Sequence, residues 1–317
     1  MATTQLDRPS RRGVAVRSRR RSRDRSGPTA VLFSLPALAI FAVFTILPTG
    51  YTFVISLFNW NPLNASQSTF IGADNYRRLF AHSTPSFAAS ALTSLYFTAG
   101  MVIGGTAISL AIALLLSRGG AWLSGVRVAV FVPHVTPLVA TSIVWVWIFN
   151  PQFGLANAIL RWLHLPAVDW LESSTTAMPA ILTYSLWHEV GFTVVIFLGG
   201  LAVVSGELGE AARVDGANRW QEFWYVTWPQ LRPVTLFVVT VSTISSLQAF
   251  TQFFVMTEGG PADATTTLSY LLYQEAFVFF HTGYAAALAV VLFVVTALFT
   301  VLQFRTRRST SARSTSA

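Results

Sequence analysis

Two ionisable residues stand side by side where the surrounding sequence tolerates few. His188 and Glu189 alone interrupt the apolar run Met178–Val204. An imidazole beside a carboxylate can grip a polar solute, or the two can satisfy each other and tie their helix to a neighbour. Both roles stay open for this pair. A second polar group recurs at helical spacing: Ser242, Ser245, Ser246 and Ala249 share one face, and Gln248 and Gln252 lie four apart. Such hydroxyls and amides hydrogen-bond polyols, and they also serve as contacts between membrane helices. His134, a lone histidine between Pro133 and Pro137, reads as structural. No nucleophile–base pair or metal-ligand spacing accompanies these residues, so no catalytic residue, metal or cofactor is expected. The chain has no Cys, which removes disulfides, thiolate nucleophiles and Cys zinc sites. All 21 basic residues are Arg. Without Lys there is neither a Schiff-base lysine nor a P-loop, so any ATP that drives this chain is hydrolysed by another one. The chain is not expected to be an enzyme.

The elements that must position these residues follow from how charge is spaced. The 317 residues are 53% hydrophobic and only 11% charged, against about 25% charged in ordinary soluble domains. A soluble fold of this composition would expose large apolar areas. No Asp, Glu, Lys or Arg lies between Arg25 and Asp74, Arg78 and Arg118, Arg127 and Arg161, Arg232 and Glu258, or Glu275 and Arg305. Each gap is long enough for the ~20 residues that cross a bilayer. With the run around His188, six spans are expected: Ala30–Phe58, Thr93–Leu116, Val126–Phe149, Met178–Val204, Val234–Thr257 and Gly283–Phe304. The fold class is all-α, a polytopic membrane protein with six transmembrane helices.

Arg placement sets the orientation. The N-terminal tail, the loops after spans two and four and the C-terminal tail hold 18 Arg, and the opposite side holds Arg77, Arg78 and Arg161. Both termini are therefore expected to be cytoplasmic. Residues 1–29 form an Arg-rich tail, 30–306 the six-span domain and 307–317 a cytoplasmic C-terminal tail. The stretch Ser10–Arg25 has no apolar periodicity and is expected to be disordered, a flank for anionic lipid rather than for nucleic acid. On the far side, Phe70–Tyr76 and the segment with Trp162 and Trp170 suit either the membrane interface or a partner surface.

The loop Ser205–Pro233 parses as helix, Gly break, helix. Ser205 is a candidate N-cap, with Glu207 and Glu210 near the positive helix end. Leu208, Ala211 and Ala212 share a face, and Gly216 breaks the helix. Asn218 with Gln221 forms a capping box for a second helix whose Trp220, Phe223 and Trp224 share a face. Pro229 and Pro233 are expected to end the unit and start span five. The aromatics suit a membrane surface, whereas the small, Ala-rich first helix permits close approach of another protein.

Glu210-Ala211-Ala212, followed three residues later by Asp215-Gly216-Ala217 and then by Phe223 and Pro229, resembles the EAA loop of ABC importer permeases. Leu47-Pro48, Ser56-Leu57-Phe58, Phe70-Ile71-Gly72, Asn75-Tyr76, Val132-Pro133, Trp145–Phe149 with Pro151 and Gly154, Gly259-Gly260-Pro261 and Gly283-Tyr284-Ala285 are similar to the carbohydrate-uptake, maltose-permease-like branch. The resemblance covers about residues 28–306. One departure is Ser205, where the family usually carries Pro shortly before the loop Glu.

The resemblance implies an ABC importer permease fold in a bacterial plasma membrane. Glu210, Ala211, Ala212, Asp215, Gly216 and Ala217 would form a coupling helix seated in an ATPase subunit. His188, Glu189 and Phe192 would line the path of a carbohydrate, together with Ser242, Ser245, Ser246 and Gln248 in preference to Gln252. Implied partners are a second, homologous permease, ABC ATPase subunits, an extracytoplasmic solute-binding protein and membrane lipid. Alternative cargoes are glycerol 3-phosphate or another polar solute. A stand-alone secondary transporter is the rival class.

Overall fold

The structure is a computed structural model that describes residues 26–81, 86–117 and 120–313. Most of the Arg-rich tail, including the Ser10–Arg25 flank, and residues 314–317 lie outside the described residues. The chain divides into two compact units, Met1–Gly50 and Tyr51–Ala317. The described part of the first is helical: α1 (Ser26–Phe41), a π-helical turn (Ala42–Ile46) and the start of α2 (Leu47–Ile55). Its side chains Val31, Leu32, Phe33 and Phe44 are all exposed, as a lipid-facing helix requires.

The second unit takes up the rest of α2 and then a short hairpin, β1 (Phe58–Asn59) against β2 (Thr69–Phe70), antiparallel, with Phe58 opposite Phe70. Helices α3 (Asp74–Phe80), α4 (Phe87–Leu116), α5 (Ala121–Val135), α6 (Leu138–Ile148), α7 (Leu155–Trp162) and α8 (Ala177–Val203) follow. Then come α9 (Gly206–Val214), α10 (Arg219–Glu222), α11 (Trp228–Leu247), α12 (Thr251–Met256), α13 (Leu268–Tyr273) and α14 (Thr282–Arg313). Among the described residues four helices are long and apolar enough to cross a membrane: Val31–Ile55, Phe87–Leu116, Ala177–Val203 and Thr282–Gln303. The pair α5 and α6 makes a fifth only if counted as one bent span.

That bend corrects the expected continuous span Val126–Phe149. The two helices meet at 98°. The residue before a proline is pushed out of the helical region, and Thr136, ahead of Pro137, is extended with ψ 146°. Buried Tyr184 of α8 fastens the corner. Its hydroxyl donates to the Leu138 carbonyl at 2.9 Å and lies 2.9 Å from both the Thr141 and Ser142 hydroxyls.

Span five is also corrected. Pro229 does stand at the start of the span-five helix, as expected, but the two prolines do not separate it from the loop unit. The chain passes from α10 through a π-helical turn (Phe223–Thr227) into α11, with Pro229 in its first turn and Pro233 inside it. The span ends early, at Leu247, and breaks at Gln248–Phe250 before α12. At the C-terminus α14 continues through Arg313, past the expected end at Phe304.

Helix α8 is the central post, packed against α4, α5 and α11. Phe97 and Met101 of α4, Ile181 and Tyr184 of α8 and Phe253 of α12 form one buried cluster; Ala113, Val190, Val194, Phe197 and Val238 form another. The Ser109 hydroxyl donates to the Val190 carbonyl at 3.2 Å, a buried tie between α4 and α8. Glycine sets how closely α8 meets α5: a Cβ on Gly191 would strike the Val130 carbonyl oxygen.

The other end is closed by residues far apart in sequence. Buried Asn75 donates to the carbonyls of Ser56 at 2.9 Å and Phe58 at 3.0 Å. Ser56 and Tyr76 hydroxyls pair at 2.7 Å. Gly283, at the start of α14, packs on the Phe58 carbonyl with no room for a Cβ. Three of the recognised segments thus converge on one structural junction.

Candidate functional site

A cavity of about 440 Å³ opens among α4, α5, α8, α11 and α12. One wall is the hydroxyl and amide face of α11 and its C-terminal break: Ser242, Ser245, Ser246, Gln248 and Gln252. The helical period places the serines together. Ser245 and Gln248 are exposed to the cavity and Ser246 is buried. Gln252, ranked behind Gln248 by sequence, also lines it.

The lining also includes His188, Glu189 and Phe192 of α8, with His134 of α5. His188 is buried and Glu189 is 41% exposed at its side chain. The His188 Nδ1 lies 3.3 Å from Glu189 Oε1, and its Nε2 lies 3.3 Å from the Thr136 carbonyl. His188 Nε2 therefore ties α8 to the α5–α6 corner, its Nδ1 faces the Glu189 carboxylate, and Glu189 still lines the cavity. Neither role open in the sequence excludes the other.

His134 was read as structural; the fold places it in the cavity wall. Its Nδ1 lies 3.5 Å from Glu189 Oε2. Its ring stacks on Phe192, centroids 4.8 Å apart and planes 19° apart. The signal that could have found it is the pair of prolines four apart that bracket it: irregular backbone in a span is tolerated where it lines a cavity. Phe250 and Thr251 at the α11–α12 break complete the lining.

The segment Glu210–Ala217 lies elsewhere. Its first helix, α9, ends in a Schellman motif. Gly216 N–H donates to the Arg213 carbonyl at 3.1 Å and Ala217 N–H to the Ala212 carbonyl at 2.9 Å. Gly216 has φ +84°, the left-handed region where a Cβ is penalised. The spacing of Ala212, Gly216 and Ala217 is thus the spacing of one capped helix end. Glu210, Ala211, Asp215 and Gly216 are exposed, and Ala212 and Ala217 half-buried.

Beyond the turn, Asn218 and Gln221 form the expected capping box, with Gln221 N–H to Asn218 Oδ1 at 2.9 Å and Asn218 N–H to Gln221 Oε1 at 2.8 Å. Ser205 stands at the N-cap position but makes no side-chain cap. Its own N–H instead donates to Gln230 Oε1 of α11 at 3.3 Å, fastening the loop to the next helix. Arg213 also holds the two arms together, reaching Glu222 at 3.9 Å. Trp224 packs edge-on to Phe223 and Trp228, while Trp220 is 71% exposed.

Comparison with known proteins agrees with this architecture. The family model described as "Binding-protein-dependent transport system inner membrane component" matches residues 103–310. The probable ABC transporter permease YurN of Bacillus subtilis is 31% identical, covering 86% of this chain and 94% of its own. The diacetylchitobiose uptake system permease NgcF of Streptomyces coelicolor is 32% identical, covering 95% and 88%. The sulfoquinovosyl glycerol transport system permease SmoG of Agrobacterium fabrum is 30% identical, covering 88% and 90%. Among solved structures, a chain of a bacterial alginate ABC transporter shares the fold with a TM-score of 0.76 at 21% identity, covering 88% of this chain and 94% of that one. The chain belongs to the family of inner-membrane components of binding-protein-dependent transport systems, the permeases of ABC transporters.

Proposed function

We propose that this chain is one half of the translocation pathway of a bacterial ABC sugar importer. It crosses the plasma membrane six times with both termini cytoplasmic. The bent pair α5–α6 serves as span three and α11 as span five; residues 205–233 lie on the cytoplasmic side. The carrying observation is the cavity, in which a row of serine hydroxyls and glutamine amides shares the lining with acidic and aromatic side chains. That surface offers hydrogen bonds and a stacking ring to a polyhydroxylated solute. Its lining holds Glu189 and no Arg, which opposes an anion such as glycerol 3-phosphate and favours a neutral sugar. The cargoes in the names of the Streptomyces and Agrobacterium relatives are both glycosides, which supports a carbohydrate, although only the first, diacetylchitobiose, is neutral and sulfoquinovosyl glycerol carries a sulfonate.

The exposed, Schellman-capped helix Glu210–Ala217 seats in an ABC ATPase subunit. A second, homologous permease supplies the other half of the path, and an extracytoplasmic solute-binding protein delivers the cargo. ATP-driven closure of the ATPase pair then moves the helices between inward- and outward-facing states as rigid bodies. The chain itself supplies no catalysis. Uptake of a panel of radiolabelled sugars by cells carrying the complete transporter tests this reading. Deleting Glu210–Ala217 is expected to abolish ATP-dependent uptake while the chain still reaches the membrane, and unchanged uptake would overturn the coupling role. Substitution of Ser242, Ser245 and Gln248 by Ala is expected to raise the KM for the sugar.

A further inference from the structure

We propose that His134, His188 and Glu189 form a binding site for a divalent transition-metal ion of the zinc class in the wall of the cavity. Each residue offers one ligand atom, and these atoms lie within 4.8 Å of one another. A tetrahedral ion with bonds of about 2.0–2.2 Å holds its ligand atoms about 3.3–3.6 Å apart. The imidazole-to-carboxylate distances are 3.3 Å from His188 Nδ1 to Glu189 Oε1 and 3.5 Å from His134 Nδ1 to Glu189 Oε2, so an ion held by one oxygen draws the other ring in from within 4.8 Å.

The hydrogen-bond arrangement points the same way. His188 Nε2 faces the Thr136 carbonyl at 3.3 Å, a group that only accepts, so Nε2 carries the hydrogen. In a neutral ring, Nδ1 then presents a lone pair toward the Glu189 carboxylate, which also only accepts. A cation between them removes that repulsion. A backbone carbonyl behind the ligating imidazole is the usual arrangement that fixes its tautomer. His134 Nδ1 is buried and makes no hydrogen bond. A proton on His188 would satisfy the His188–Glu189 contact alone, whereas a metal ion takes up all three groups.

Two imidazoles and a carboxylate suit zinc-class ions rather than magnesium or calcium. Three protein ligands leave a fourth position toward the cavity, open to water or to a solute hydroxyl. The ligands come from two helices, His134 from α5 and the other two from α8. A bound ion therefore pins α5 to α8, and zinc is expected to inhibit transport by holding one conformation.

The test uses the full-length chain, without an affinity tag, in detergent. Zinc binding is followed by calorimetry, and Co²⁺ serves as a spectroscopic probe of tetrahedral coordination. One ion per chain is expected. His134→Ala and Glu189→Gln should each weaken binding by about tenfold or more, and His281→Ala, away from the site, should leave it unchanged. His134→Asn keeps a polar side chain there if the alanine variant fails to assemble. Absence of binding below about 1 mM, or affinity unaltered by either His134 variant, would overturn the site. Binding is read on the purified chain, so a negative result leaves the transport reading untouched.

Discussion

The contact between α5 and α8 predicts that Gly191→Ala destabilises this protein while Gly199→Ala, on the same helix, does not. A Cβ built on Gly191 meets the Val130 carbonyl oxygen and the Phe131 Cα, the latter at 2.9 Å. Carbon atoms in ordinary contact sit about 3.5–4.0 Å apart, so the helices must separate by about 0.6–1.1 Å. Backbone atoms cannot rotate aside as a leucine tip can. Overpacking of this kind costs about 1–3 kcal/mol, and a purely backbone clash belongs at the upper end. Gly199 has nothing within 4 Å of its built Cβ, and alanine there gains up to ~1 kcal/mol of helix propensity. The two variants should therefore differ by about 2–4 kcal/mol, combining these estimates. The assay is thermal unfolding of the purified protein followed by its tryptophan fluorescence, paired with uptake in cells. Because α5 carries His134 and α8 carries His188, separation of the two should also lower uptake. Equal stability of the two variants would refute the argument.

Other perturbations separate local from tertiary effects. Gly216→Val forces a β-branched residue to φ +84°, at a cost of about 1–2 kcal/mol; ATP-driven uptake should fall while the amount of chain in the membrane does not. Asn157, fully buried, receives the Val168 N–H at 3.1 Å and the Trp170 Nε1–H at 3.0 Å and donates to the Pro151 and Val168 carbonyls. Asn157→Ala leaves those groups unpaired and should cost about 1–3 kcal/mol for each one kept from water, seen as early proteolysis between residues 150 and 177. Ser94→Ala removes the buried acceptor of the Leu268 N–H at 2.8 Å and should cost about 1–3 kcal/mol in thermal unfolding. Arg78→Ala breaks only the exposed Arg78–Asp74 pair at 3.1 Å and should change stability by less than about 0.5 kcal/mol.

Several expectations drawn from the residue pattern survive in the structure because their causes are local. The Asn218–Gln221 capping box and the Gly216 break depend on hydrogen bonds spanning three to five residues. The serine face of α11 follows from helical periodicity, and it does reach the cavity. Expectations that treated hydropathy as direction failed. The spacing of charges is blind to where an apolar run turns, so Val126–Phe149 reads as one rod although Pro137 turns it. Pro229 does mark the start of span five, but residue type alone could not show that the helix enters from the loop without a break and runs through both prolines. Ser205 was assigned a cap by residue type alone, but Gln230, 25 positions away, decides what its backbone does.

The sequence by itself determined that this chain is a membrane protein built of helices, and the loop Glu210–Ala217 carried its resemblance to ABC permeases. Long uncharged runs have few other homes than a bilayer, and there the backbone must satisfy itself within each helix. It also determined the capped turn at Glu210–Ala217 and the absence of a P-loop lysine. Only the tertiary structure decided what the polar residues face. His134 and His188 are separated by 54 positions along the chain, yet the rings lie 5.7 Å apart. That distance is set by the kink at Pro137, by the lack of a side chain on Gly191 and by Tyr184 fastening the corner. A sequence pattern registers each of these features alone, but only packing combines them, because the meeting point of two helices depends on the side chains of both.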